Sequence, residues 1–410
     1  MRTLIFAIFF LSTAFGFFLQ YLTYSRRNAP LPENVKDVYD SDTYKKNQSY
    51  KMECLRYSIV TGVIGTMVSL SILFFNFHHI LYTFISGHTV NLYLTSMFIM
   101  ILPMLISAIV GTFLGIYETF GIEEKYGFNK TTPKTYIIDF FKEMFILLIV
   151  AGGLLSLFLL LHNLLGNFVF LAFFFVLFAL VLIISFISPL LIRIFYKLTP
   201  LEDGELKDKI EAFAKETGYK LKGIYVVDAS KRSSKMNAFA AGFGKTKTIG
   251  LFDTLIEKMT HDEIIGVLAH EIAHAQKRHV LKSTPLSLLS LAIMCAAAYF
   301  VVAMPEVSQA FGFEGVNMAF GIYIMFILIS PITVLLQIPK NALSRKHEYE
   351  ADAFEVQYVG ADVAVSAMKK LYREDLGNLT PHPFVVLIEH SHPTASQRIA
   401  AMQGEVRDLK

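Results

Sequence analysis

Seven stretches of this chain stay apolar over roughly the twenty residues that a helix needs to cross a bilayer. They run from Leu4 to Tyr21, Tyr57 to Phe77, Leu92 to Tyr117, Met144 to His162, Phe168 to Ile192, Leu286 to Met304 and Met318 to Ile338. Runs of this length without alternation predict helices that are apolar on every side, hence seven membrane-spanning helices. The first run differs from a secretory signal: its apolar core is long, one arginine precedes it, and no small-x-small cleavage site follows before Tyr21. It reads as a retained helix.

After the fifth run the pattern changes. Pro200-Leu201-Glu202-Asp203-Gly204 turns into an amphipathic helix ending near Gly218. Gly223 to Val227, Asn237 to Ala241 and Thr246 to Phe252 read as strands, β-branched and aromatic and bounded by glycines. Thr260 followed by Glu263 is a capping box, and Ile264, Ile265, Val267, Leu268 and Ile272 form a helical apolar stripe behind it. The fold class is therefore mainly α, a polytopic seven-helix transmembrane protein carrying a small α+β unit. Residues 1–194 hold helices one to five, 195–284 the α+β segment, 285–338 helices six and seven, and 339–410 a polar C-terminal segment.

Composition agrees, with a mean hydropathy of +0.49. Only 17% of residues are charged, against about a quarter in soluble domains. The net charge of +3 matters less than where the charges lie. Tyr24 to Arg56 carries Arg26, Arg27, Lys36, Lys45, Lys46 and Lys51, and the connection after the third helix carries Lys125, Lys130, Lys134 and Lys142. The connections His78 to Asn91, His162 to Asn167 and Pro305 to Asn317 contain no lysine or arginine. Basic residues favour the cytoplasmic side, so the N-terminus is expected outside, and the C-terminus and both polar segments inside. Cys54 and Cys295 are too few and too separated for a disulfide framework. No basic stripe points to nucleic acid. Lys231, Arg232 and Lys235 read as a solvated loop rather than a surface for anionic headgroups or a substrate tail.

Candidate chemistry sits on the capped helix. His270-Glu271-Ile272-Ala273-His274 places two imidazoles one turn apart on one face with a carboxylate beside them. Both can reach one Zn2+, and Glu271 can take the proton of the attacking water in peptide hydrolysis. A catalytic zinc takes a third protein ligand. A histidine six residues after His274 would supply it, but Val280 stands there and His279 is one residue out of phase. A glutamate on a downstream helix is the remaining common solution, and Glu348 within Ser344 to Asp352 offers one. Asp352, one turn on, is placed to accept the free ring N–H of a ligand histidine. His78, His79 and His88 belong to the opposite side of the membrane and are not expected as ligands.

These motifs, with His392-Pro393 followed by Arg398, resemble the type I CAAX prenyl endopeptidases, integral-membrane zinc metalloproteases. Glu123 to Lys130, Asp228 to Ser233, and Asn237-Ala238-Phe239 leading to Leu251 to Leu255 carry the same resemblance. It implies a cytoplasmic gluzincin-type domain with one Zn2+ per chain, and removal of the C-terminal tripeptide from a peptide or lipidated protein at the bilayer. It further implies that His392 stabilises the oxyanion, that Arg398 holds a carboxylate of the substrate or of the site, and that Asn237, Ala238 and Phe239 form a sheet edge for the substrate backbone.

A general quality-control metalloprotease of the heat-shock type is the alternative, but those proteins place fewer helices before the zinc domain. A non-catalytic transporter or binding protein would require an intact Glu271 to be a relic. An intramembrane protease is disfavoured because Lys277, Arg278 and Lys282 follow the motif helix. The compact length points to the cell membrane of a prokaryote, with the endoplasmic reticulum as the other location. Nothing in the sequence sets an oligomeric state.

Overall fold

The computed structural model describes residues 1–242 and 247–405. Thr246 of the expected third strand lies outside the described residues, as do residues 406–410 of the C-terminal segment. The membrane half comprises α1 (Arg2–Ser25), α2 (Ser41–Phe74), α3 (Leu92–Tyr117), α4 (Pro133–Leu165) and α5 (Val169–Phe195). The sheet strands are β1 (Leu198–Pro200), β2 (Leu221–Val227), β3 (Ala238–Ala241) and β4 (Lys247–Phe252), with α6 (Glu205–Glu216) between the first two. Then come α7 (His261–Gln276), α8 (His279–Val302), α9 (Met318–Leu328), α10 (Ser330–Val359), α11 (Ala361–Glu374), α12 (Pro383–Glu389) and α13 (Ala395–Met402).

Five helical stretches among the described residues are long and apolar enough to cross a membrane, and α9 with α10, bent by 53° between Leu328 and Ser330, makes a sixth. One of the five is the 52-residue stretch Pro133–Ile184. It reverses on itself at Gly166, whose φ of 54° suits a residue without a Cβ. The rings of Phe158 and Phe173 lie 5.3 Å apart, whereas one straight helix would separate these residues by about 22 Å. Lys142 Nζ donates to the Ile194 carbonyl at 3.0 Å, so the start of α4 meets the end of α5. The outward faces are apolar and bare, with Leu11 at 70%, Phe113 at 71% and Phe145 at 64% exposure, as a lipid solvent requires. Between the helices lies an apolar cavity of about 660 Å3, walled by residues such as Phe9, Met100, Leu147, Phe173, Met294 and Phe326.

The polar stretch Tyr24 to Arg56 is more ordered than a connection. Asp40 caps α2 by accepting from the N–H groups of Asp42 and Thr43, and the helix then runs through polar sequence before its apolar part. Val35, Val38 and Tyr39 share one buried cluster with Ile122, Tyr126, Ala364 and Ile399. Buried Asn47 donates to the Leu376 carbonyl at 2.7 Å. Polar parts of the membrane half thus complete the core of the C-terminal segment.

The sheet order is β1-β2-β4-β3, leaving β3 at an edge. β2 and β4 are parallel, and β3 runs antiparallel to β4 with Phe239 opposite Gly250. Ile249 and Leu251 face Ile264, Leu268 and Ile272 of α7, all fully buried. Three apolar residues spaced by four on α7 make that face, and the rest of the helix is turned toward α10.

Candidate active site

The capping box holds the start of α7. Thr260 Oγ1 accepts from the Glu263 N–H at 3.3 Å, and Glu263 Oε2 accepts from the Thr260 N–H at 2.8 Å. The same carboxylate also receives Ser366 Oγ at 2.9 Å and Lys370 Nζ at 3.0 Å, which ties α7 to α11. α7 packs along the polar half of α10, where Glu348, Asp352 and Glu355 follow at spacings of four and three on one face.

Three side chains named from the sequence converge. His270 Nε2 lies 3.2 Å from His274 Nε2 and 3.3 Å from Glu348 Oε2, and His274 Nε2 lies 3.5 Å from Glu348 Oε1. Bonds of about 2.1 Å to a tetrahedral zinc would set ligand atoms about 3.4 Å apart, close to the separation of the two imidazole nitrogens and to the approach of each imidazole to one oxygen of the Glu348 carboxylate. Buried Glu348 Oε2 meets His270 and Arg398 only at 3.3 and 3.5 Å, without a well-formed hydrogen bond, so its lone pairs remain available to a cation. The donor set of two imidazoles and a carboxylate therefore fits a metal.

The surroundings fix these ligands. His270 Nδ1 lies 3.0 Å from Asp352 Oδ1. Arg398 grips the same carboxylate with two N–H groups, its Nε donating to Oδ2 at 2.9 Å. The 3.3 Å approach of Arg398 Nη2 to His270 Nδ1 follows, because both donate to one oxygen. Arg398 Nη1 also stands 3.5 Å from Glu348 Oε2. The carboxylates that Arg398 holds are thus those of the site. His392 Nε2 lies 3.4 Å from Glu348 Oε1 with its side chain 59% exposed, at the mouth of the site. That position depends on α10, since Arg345 Nη1 donates to the His390 carbonyl at 2.8 Å and Asn341 Nδ2 to the Ile388 carbonyl at 2.7 Å.

Burial disfavours charge on His270, yet its hydrogen bonds to Asp352 and Glu348 outweigh it and push its pKa up to about 9. A cation held by His270 and Glu348 would compete with that proton. His274, partly buried and beside positive His270, falls to about 4. Burial, with Glu348 nearby, raises the Glu271 carboxyl above the ordinary glutamate range, the direction that suits a general base at neutral pH.

β3 begins at Ala238, one residue after the expected Asn237, whose carbonyl still accepts from the Phe252 N–H at 3.1 Å. The ring of Phe239 covers Gly250, where a Cβ would stand 2.2 Å from it. The Phe239 side chain is therefore spent on the sheet, and the strand's remaining offer is its unpaired backbone edge. Far from the site, His78 is buried against Phe320 and Tyr323.

Three groups hold places around the ligands that the sequence did not assign to them. His279 Nδ1 lies 2.9 Å from His274 Nδ1, and its Nε2 lies 3.2 Å from Glu350 Oε2. With His274 Nε2 turned toward Glu348, its Nδ1–H donates to His279, which passes its own N–H to Glu350. His279 was out of phase for a ligand but is placed for this support. Glu355 Oε2 stands 3.8 Å from His270 Nδ1, its approach made possible by Gly266, where a Cβ would meet Glu355 Oε1 at 3.0 Å. Its spacing of seven from Glu348 was the available signal.

The chain matches the sequence profile described as Peptidase family M48 over residues 200–406, and that of the CAAX prenyl protease N-terminal region, five membrane helices, over residues 20–197. It is 30% identical to CAAX prenyl protease 1 of Saccharomyces cerevisiae, covering 94% of this chain and 92% of that protein. It is 31% identical to the CAAX prenyl protease 1 homolog of Arabidopsis thaliana, covering 97% and 99%. The crystal structure of S. mikatae Ste24p superposes with a TM-score of 0.92 at 28% identity, over 98% of both chains.

Proposed function

This chain belongs to peptidase family M48 and is a multi-pass membrane metalloendopeptidase resembling the CAAX prenyl protease; from that premise we propose that His270, His274 and Glu348 hold one Zn2+, that Glu271 is the general base, and that the substrate is a lipidated C-terminal peptide. The observation that carries this reading is the convergence of two imidazole nitrogens, 3.2 Å apart, on the Glu348 carboxylate, each within 3.5 Å of one of its oxygens.

Zinc, when bound, supplies a Lewis acid that polarises the scissile carbonyl and acidifies water. The protein does the rest. Glu271 accepts the proton of the attacking water and returns it to the leaving nitrogen. His392, at the mouth, donates to the oxygen on which charge develops. Asp352 fixes the His270 tautomer, and Arg398 fixes Asp352. The backbone edge of β3, which packs against α7, receives the extended peptide as an added strand. The apolar cavity of about 660 Å3 suits the hydrocarbon of a lipidated substrate. Detergent-purified protein incubated with prenylated and unprenylated forms of one CAAX peptide is expected to cut the prenylated form, releasing its C-terminal tripeptide by mass spectrometry. Cleavage of neither would favour the quality-control reading. Glu348→Ala is expected to lower bound zinc by elemental analysis. Full occupancy would send the search for a third ligand elsewhere.

Seven crossings follow if Pro133–Ile184 is two spans, which the Phe158 to Phe173 contact of 5.3 Å supports. The N-terminus is then outside and the site cytoplasmic. Lys277 and Gln309 lie beyond opposite ends of α8, a 24-residue helix about 36 Å long. With Cys54 and Cys295 replaced, Lys277→Cys is expected to label only from the cytoplasm and Gln309→Cys only from outside. Labelling of both from one side would refute this topology.

A further inference from the structure

Where α4 begins and α5 ends beside the sheet, a pocket of about 530 Å3 opens between Thr135, Asp139, Lys142, Arg193, Lys197 and Arg232. Five basic side chains line it, these four and Lys231, against two carboxylates, Asp139 and Asp228. Both carboxylates are already committed. Asp139 accepts from Arg232 Nε at 2.9 Å and from Lys142 Nζ at 3.3 Å, and Asp228 accepts from Lys231 Nζ at 2.7 Å and from the Lys197 backbone N–H at 2.6 Å. Arg193 and Lys197 have no carboxylate partner among the described residues, although Arg193 lies over the Tyr225 ring at 5.6 Å. The pocket thus carries a surplus of positive charge, with two cations free to meet a ligand.

Its position selects the ligand. Ile138 and Ile194 belong to the pocket wall and are 44% and 40% exposed, and Ile137 and Phe141 beside them are 55% and 64% exposed. Such a bare apolar band belongs against acyl chains. The basic pocket begins where that band ends, at the depth of headgroups, and Phe195 and Tyr196 line the boundary. We propose that this pocket binds the headgroup of an anionic phospholipid whose acyl chains lie along α4 and α5. Arg193 and Lys197 supply its principal contacts, and Lys231 and Arg232, on the loop between β2 and β3, close its far side.

Native mass spectrometry tests this on protein in nanodiscs of phosphatidylcholine alone or with phosphatidylserine. Wild-type protein released from the mixed discs is expected to retain phosphatidylserine well above its bulk proportion. In Arg193→Gln/Lys197→Gln that enrichment should fall by about tenfold or more, the loss expected for two cations at an anionic surface. The variant should keep wild-type metal content and wild-type peptide hydrolysis in phosphatidylcholine discs, since neither residue touches the active site. Excess inorganic phosphate should leave the retained lipid in place. Retention in bulk proportion by the wild type would overturn the proposal without any variant. Undiminished enrichment in the double variant would overturn the assigned residues, and displacement by inorganic phosphate would mark a free-phosphate site instead.

Discussion

Glu271→Gln is expected to leave the metal in place and remove hydrolysis. Glutamine keeps the shape of the side chain and touches none of the three ligand atoms, so elemental analysis should find wild-type zinc. It cannot accept a proton, and loss of a general base costs about 10²- to 10⁴-fold, roughly 3 to 5 kcal/mol of barrier. The raised affinity of Glu271 for protons, caused first by burial, predicts the accompanying pH dependence. The base must be ionised, so wild-type turnover should fall as pH drops through a value above the ordinary glutamate range, and the residual turnover of Glu271→Gln should lack that limb. Activity of the variant within threefold of wild type would remove Glu271 from the mechanism.

The parts legible in the sequence were those governed by local spacing. HExxH needs only the helical repeat to put His270 and His274 together, and the Thr260 capping box is present as read. The expected spans α1 and α3 emerge within a few residues because lipid imposes a length on an apolar run, while α8 starts at His279 rather than at Leu286. What escaped the sequence depended on residues far apart in the chain. His279 supports His274 through a contact whose other end is Glu350, 71 positions away. The polar start of α2 read as a basic connection, yet its Asn47 binds a carbonyl 329 positions away. Lys231 and Arg232 read as a solvated loop, because nothing local says that the end of α5 stands beside them. Phe239 was expected in a sheet edge for the substrate backbone, with nothing to say where its side chain goes. Only strand register, which no local pattern fixes, shows that its ring covers Gly250.

Arg398→Met is expected to be the most damaging change among residues that touch no substrate atom. Arg398 is 12% exposed and grips Asp352, itself 2% exposed. Glu348 and Glu355 stand in the same buried layer around His270. Among the described residues Arg398 is the one permanently charged cation there, since imidazoles can shed their protons. Its loss leaves Asp352 without its guanidinium partner in a poorly solvated place, and removing one partner of a buried pair costs about 3 to 5 kcal/mol. The cost should appear as a lower thermal midpoint in detergent and as lost zinc. Asp352→Asn alone should weaken zinc binding by about 10- to 100-fold, because His270 loses its anionic acceptor. The two residues share one interaction, so the double variant should cost less than the sum, with a coupling of about 1 to 3 kcal/mol. Strict additivity would show that the grip seen between them contributes nothing. A second comparison separates holding the site from holding the substrate. If Arg398 bound the carboxylate of the peptide, Arg398→Met would raise KM for a free C-terminus and spare an amidated one. With the guanidinium committed to Asp352 and Glu348, both peptides should lose kcat/KM in equal proportion.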